Sequence, residues 1–182
     1  MSLVLRVLDG HVPAAARRAA LRELFATTAA AFGCPVPPLD SLDADALLRR
    51  YAEFTRDQAE AALQDGRDLP ALQDRLECRA RALGARLRAG LRLRTTEDTM
   101  AAARMVYELL DIDFRGTGQG EITVRRCAFS DIYSAEVCWL VSALDTGLLA
   151  GLSAGDRLEF SQRITESAPT CLARLRPGRR GG

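Results

Sequence analysis

An α+β fold is expected from this sequence, on two observations. Residues 13–110 carry leucines and aromatics at three- and four-residue intervals, whereas residues 111–176 hold two stretches of alternating apolar and polar residues on either side of one long apolar segment. The first pattern is that of amphipathic helices and the second that of two β-hairpins flanking a helix, which together give a small antiparallel sheet packed with a helical N-terminal half.

The first helix follows Pro13, with Leu21, Leu24, Phe25, Ala29 and Phe32 on one stripe, and Gly33 and the prolines at 35, 37 and 38 stop it. A second begins after Ser41, carries Leu47, Tyr51 and Phe54 on one face and runs toward Gly66. The third starts near Pro70 and aligns Leu72, Leu76, Leu83, Leu87 and Leu91, a stripe to be buried within the monomer or in a homodimer. Its arginines at 79, 81, 86, 88 and 92 are interspersed with Asp74 and Glu77 and read as a solvated face. Thr95 or Thr96 caps a fourth helix with Glu97 and Asp98 in its first turn and Met100, Ala103, Tyr107 and Leu110 on its apolar side.

From Asp111 the period changes to two. Ile112 and Phe114 lead into the glycine-rich turn 116–120, and Ile122 and Val124 lead out toward Cys127. That turn lacks a following helix start and Lys-Ser/Thr, so it reads as a hairpin turn rather than a phosphate loop. A fifth helix starts at Ser134 and presents Val137, Leu140, Val141, Leu144 and Leu148 before Gly151 and Gly155 end it. Leu158, Phe160, Gln162 and Ile164 share one side of a strand, 166–169 turns the chain, and a return strand runs from Cys171 to Leu175. One α+β domain is expected over 1–176, with 177–182 as a flexible tail.

Composition narrows the function. The 182 residues are 48% hydrophobic, and 25 basic side chains against 24 acidic ones leave a net charge of +1, so no global field exists to gather nucleic acid or an anionic membrane. Apolar runs such as 137–144 fall short of the ~20 residues of a membrane span, and no secretory signal is read at the N-terminus. Every basic residue is arginine, which removes Schiff-base and lysine phosphate-clamp chemistry. Five cysteines without C-x-x-C spacing point to free thiols in a reducing cytoplasm. His11 is the only histidine, near the N-terminus, and is not expected to serve a catalytic triad.

The chemistry-bearing residues concentrate late in the chain. Cys127 ends a strand, while Cys138 and Asp145 lie seven residues apart, about two helical turns, and share a helix face with Ser142 between them. Were the second hairpin to pack beside that helix, Cys171, Arg163 and Glu166 would join the same region. Arg125, on the strand face of Cys127 by strict alternation, is the expected electrostatic neighbour of a Cys127 thiolate, with Arg126 on the opposite face. Cys34 and Cys78 read as small apolar packing residues.

Several elements of 95–175 have a counterpart in a known family: Arg126-Cys127-Ala128-Phe129-Ser130, Glu136-Val137-Cys138, Asp145, Gly151-Leu152-Ser153-Ala154-Gly155, Arg163-Ile164-Thr165-Glu166 and Cys171. Together they resemble the core of the L-2-amino-thiazoline-4-carboxylic acid hydrolase family. Cys127-Ala128-Phe129 stands where that family has a Cys-Pro-Tyr-like element, so Phe129 brings no tyrosine hydroxyl. The resemblance implies a hydrolase that opens a cyclic isothiourea by adding water. Taken with the shared helix phase, it assigns Cys127 as nucleophile or thiolate electrostatic element, Cys138 as its partner and Asp145 as acid/base. Substrate contacts fall to Arg163, Arg125, Glu166 and Phe129, with Arg163 anchoring a carboxylate, and no cofactor is implied. Two other classes fit the same residues: a zinc or other soft-metal site of Cys127, Cys138 and Cys171 with Asp145, and a non-catalytic module that encloses a small molecule.

Overall fold

The computed structural model describes residues 13–178. Four helices, α1 (Ala14–Phe32), α2 (Ala44–Gln64), α3 (Leu69–Leu91) and α4 (Thr96–Leu109), precede a hairpin of β1 (Ile112–Gly116) and β2 (Glu121–Cys127). Helices α5 (Ala135–Val141) and α6 (Ala143–Ser153) then lead to strands β3 (Arg157–Gln162) and β4 (Cys171–Arg176), joined through a 3-10 turn at Ile164–Glu166. The strands form one antiparallel sheet in the order β1-β2-β4-β3, so the fold is α+β with a helical first half. His11 and residues 179–182 of the expected tail lie outside the described residues.

The caps follow the local chemistry. Gly33 takes φ +74° at the end of α1, a conformation that costs glycine no Cβ clash. Asp43 and Asp68 each accept the amide three residues on, at Ala46 and Ala71, to start α2 and α3. Thr95 and Asp98 close a reciprocal capping box on α4, and that carboxylate is held below its ordinary range. Burial opposes this shift, but the amides of Arg94 and Thr95, both bonded to Asp98, outweigh it.

Helices α3 and α6 touch backbone to backbone. A Cβ on Gly147 would sit 2.1 Å from the Glu77 carbonyl oxygen, one on Gly151 2.3 Å from that of Arg81, and one on Gly84 2.3 Å from that of Leu148. The leucine stripe of α3 is used inside the monomer: Leu72 and Leu76 are fully buried, and Leu83, Leu87 and Leu91 pack against the same core. It therefore supplies no argument for a homodimer. Cys34 packs on the core as expected, but Cys78 lies on the exposed face of α3, which corrects its reading as a packing residue.

The single long helix expected after Ser134 is divided at Ser142, whose hydroxyl donates to the Trp139 carbonyl three residues back. Such back-bonding bends a helix without breaking its ladder, and the Ser142 amide still reaches Cys138 O while Thr146 N reaches Ser142 O. By length and composition the stretch Ala135–Ser153 would suffice to cross a membrane. It is instead the centre of the core, with Val137, Leu140, Leu149 and Leu152 at 1% exposure or less.

Ile112, Phe114, Ile122, Val124, Leu158, Ala173 and Leu175 form the inner face of the sheet, against the helices. On the outer face Arg174 pairs with Glu121 at 2.7 Å and Arg176 with Glu159 at 3.4 Å across neighbouring strands. Two β-bulges interrupt the alternation. On β2, the partners Ile112↔Cys127 and Phe114↔Val124 leave three residue steps opposite two, and on β3, Phe160↔Ala173 and Gln162↔Leu172 leave two steps opposite one.

Candidate active site

Both bulges aim a side chain into one cavity. Inward positions on β2 are Ile122 and Val124; without the bulge Cys127 would point outward with Arg125. The extra residue leaves Arg125 and Arg126 both exposed and returns Cys127 to the inner face, opposite buried Ile112. On β3 the bulge does the same for Arg163, which strict alternation from Leu158 and Phe160 would place outside.

The cavity, about 140 Å³, lies between the inner face of the sheet and helices α1 to α6, and its walls are mostly apolar. Cys127, Cys138, Cys171, Asp145, Arg163 and Phe129 all line it. The late-chain groups expected to converge therefore do so. Arg125 and Glu166 do not: Arg125 is exposed for the reason just given, and Glu166 sits on the exposed end of the 3-10 turn, 3.4 Å from the Arg163 guanidinium. The β2 bulge turns Arg125 outward, whereas Glu166 is carried outward by the exposed end of the 3-10 turn.

Asp145 is the electrostatic centre. Burial pushes its carboxyl up to about 6, against opposing contributions from the Tyr107 hydroxyl and Arg163. Tyr107 donates to Oδ1 at 2.8 Å, and its ring is stacked on Phe114 with centroids 4.7 Å apart and planes 4° from parallel. The carboxyl thus has one oxygen held by a buried phenol and titrates near neutral pH.

The thiols behave differently from the expected thiolate. Burial pushes Cys127 up to about 12, and Asp145, Cys138 and Cys171 add to the shift through their own negative charge. Cys138 and Cys171 are raised by burial as well, with Arg163 opposing the shift in both. Cys171 Sγ accepts the Ile164 amide at 3.3 Å. All three thiols are accordingly protonated at neutral pH; the Phe129 amide opposes the Cys127 shift in part, and among the described residues no arginine beside Cys127 offsets its desolvation. The same sulfurs do not form a metal centre: among the described residues no three His, Cys, Asp or Glu side chains come together closely enough to hold an ion.

Arg163 is 15% exposed, with its guanidinium 4.4 Å over the Phe160 ring. Nη1 reaches Glu166 Oε1 at 3.4 Å and Nη2 reaches Ser142 Oγ at 3.5 Å.

A buried aromatic shelf closes the far side. Phe129 stacks on Tyr133 at 5.4 Å and meets Tyr51 edge-on at 6.1 Å. Thr55 donates its hydroxyl hydrogen to the Tyr51 carbonyl, so in its bond with Tyr133 the phenol is the donor. Tyr51 is bonded in turn to Thr28 at 2.9 Å. Tyr51, Tyr107 and Tyr133 all line the cavity.

Tyr107, Tyr133 and Thr165 are polar cavity groups to which the sequence reading gave no role. Tyr107 was legible only as one member of the apolar stripe of α4, though a tyrosine among leucines and methionines signals a hydroxyl in need of a partner. Compared with family profiles, curated proteins and solved structures, the chain has no significant match.

Proposed function

We propose that this protein is a thiol-dependent hydrolase of a small ring compound bearing a carboxylate, such as an amino-thiazoline carboxylate. One observation carries the reading: three thiols from β2, α5 and β4 line a single cavity with a carboxyl that titrates at about 6 and a partly buried guanidinium. Its apolar walls favour a compact ring body, and the guanidinium favours a carboxylate.

The chemistry follows from the protonation states. Since Cys127 is held as a thiol, attack on the amidine-like ring carbon requires a base, and the Asp145 carboxylate takes the proton as the sulfur–carbon bond forms. The ring carbon–sulfur bond breaks, and the departing sulfur receives that proton from Asp145. Water then adds to the Cys127-bound carbon and displaces the Cys127 sulfur as a thiol. The sum is substrate plus water giving an N-carbamoyl amino acid with a free thiol. Cys138 disfavours ionisation of Cys127 and so helps hold that sulfur as a thiol until Asp145 takes its proton. Five free thiols suit the reducing cytoplasm as its place of action.

The test is release of product thiol from 2-amino-thiazoline-4-carboxylate, followed with wild type and with Cys127→Ser, Cys138→Ser and Asp145→Asn. Turnover that disappears in folded Cys127→Ser and Asp145→Asn supports the reading. No turnover above the uncatalysed rate, or full activity in both variants, overturns it.

A second reading, a non-catalytic module enclosing a small molecule, is favoured by the upward shift of all three cavity thiols. Alkylation of Cys127 across pH separates the two. A nucleophile that Asp145 deprotonates is labelled faster in wild type than in Asp145→Asn and is protected by a substrate analogue, whereas a packing thiol is labelled uniformly slowly.

A further inference from the structure

Two hydrogen-bond donors lie buried in the cavity wall with no nitrogen or oxygen acceptor among the described residues: Arg163 Nε and Thr165 Oγ1, two residues apart at the start of the 3-10 turn. Buried donors left unmatched are rare in folded proteins, and each costs stability unless something else accepts its hydrogen. The remaining bonds of Arg163 are long, 3.4 Å to Glu166 and 3.5 Å to Ser142, against the ~2.9 Å usual for such pairs. Thr165 meets the Cys138 sulfur, and its hydroxyl opposes the upward shift of that thiol by hydrogen bonding; sulfur is a weak acceptor that satisfies a hydroxyl poorly.

We propose that Arg163 Nε and Thr165 Oγ1 form an oxyanion subsite that reads a monocarboxylate, with Thr165 as the residue that determines its specificity. The inference rests on the small-carboxylate reading of the cavity and adds to it the second donor and the charge class of the ligand.

Charge and shape choose the anion. Among the described residues a single guanidinium faces the cavity, and Asp145 contributes negative charge to the same space, so a phosphate dianion or a dicarboxylate would bring charge that none of them neutralises. One planar carboxylate matches one cation and one hydroxyl. The Phe160 ring under the guanidinium fixes the plane in which the carboxylate must lie. Glu166, exposed and at 3.4 Å, is an intramolecular competitor for the outer edge of the same guanidinium, not a substrate contact. At about 140 Å³, the cavity suits a ligand the size of a substituted five- or six-membered ring; an apolar cavity of about 150 Å³ holds benzene.

The experiment measures binding rather than turnover, so it stays informative if hydrolysis is never observed. Calorimetric titrations would compare thiazolidine-4-carboxylate, thiazolidine-4-carboxamide and phenyl phosphate on wild type, Thr165→Val, Thr165→Ser and Arg163→Gln, each checked for a native melting transition. Wild type is expected to prefer the carboxylate over both other probes by about tenfold or more, the scale of one charge-assisted hydrogen bond. Thr165→Val, close in shape, should lose about tenfold for the carboxylate and nothing for the carboxamide, while Thr165→Ser keeps the preference. Equal binding of acid and amide, tighter binding of the phosphate, no saturable binding of any probe, or an undiminished preference in Thr165→Val would each overturn the assignment. Failure of hydrolysis with this pattern of binding intact would remove the enzymatic reading alone.

Discussion

The Tyr107 hydroxyl donates a 2.8 Å hydrogen bond to Oδ1 of Asp145, joining the C-terminal part of α4 to the start of α6 across 38 positions of sequence. This bond stabilises the ionised carboxylate and partly offsets the burial that raises its titration point. Replacing Tyr107 by Phe should move the Asp145 titration above about 6, and any pH-dependent binding or turnover should shift to higher pH in parallel. Carboxyl-carbon NMR across pH reads the shift directly, and an unmoved titration would show that the phenol plays no electrostatic part. The loss of one buried hydrogen bond should also cost about 1 kcal/mol of stability.

Asp145 also makes stability depend on pH in a stated direction. An aspartate titrates at about 3.9 in an unfolded chain, whereas burial holds this one at about 6 in the folded protein. Between those values the folded state binds more protons, so stability falls as pH rises from about 4 to about 6 and the full penalty persists above. A shift of about two units corresponds to roughly 3 kcal/mol. Asp145→Asn should therefore gain stability over wild type at pH 8 and lose that advantage near pH 4, measured by urea unfolding at the two pH values. Equal differences at both would contradict the assignment.

Cysteine exposure predicts an ordered labelling pattern. Cys78 is exposed, whereas Cys34, Cys127, Cys138 and Cys171 are partly buried. A disulfide reagent at pH 8 should label one thiol quickly and the others slowly, with all five reacting in denaturant. Cys78→Ser should abolish the fast phase. A fast phase that survives in that variant would place the reactive sulfur in the cavity.

Arg125 faces solvent beyond the β2 bulge, so Arg125→Ala should leave ligand affinity and thiol reactivity unchanged within experimental error. Arg163→Gln, by contrast, should weaken carboxylate binding strongly. The paired titration checks the correction that the bulge imposes.

Much of this arrangement was legible in the sequence. The helices announced themselves through Phe25, Tyr51, Leu76 and Met100 at helical spacing, and the hairpins through alternation around the 116–120 turn, because apolar period is set by which face is buried. The seven-residue spacing of Cys138 and Asp145 placed both on the cavity side despite the bend at Ser142. The bulges were not legible. An extra residue in a strand depends on how the partner strand is registered, which no local pattern near Arg125 or Ser161 encodes. For the same reason Arg125 was assigned the role of neighbour to Cys127 that the fold denies it. The thiolate expectation failed on a related point, since burial is a property of the assembled layers rather than of the residues flanking Cys127.

Gly84, Gly147 and Gly151 let α3 and α6 meet through their main chains. Gly147→Ala or Gly151→Val would force a methyl or larger group into a carbonyl oxygen, with a cost of about 1–3 kcal/mol or more, visible as a lowered melting temperature. Gly147 and Gly151 lie on the side of α6 away from Asp145, so they seat the helix that bears the acid. The depth at which that acid stands is therefore gauged by peptide groups and not by side-chain bulk. Exchanges among the apolar wall residues would remodel the chamber for another guest while its proton-carrying group kept the same station.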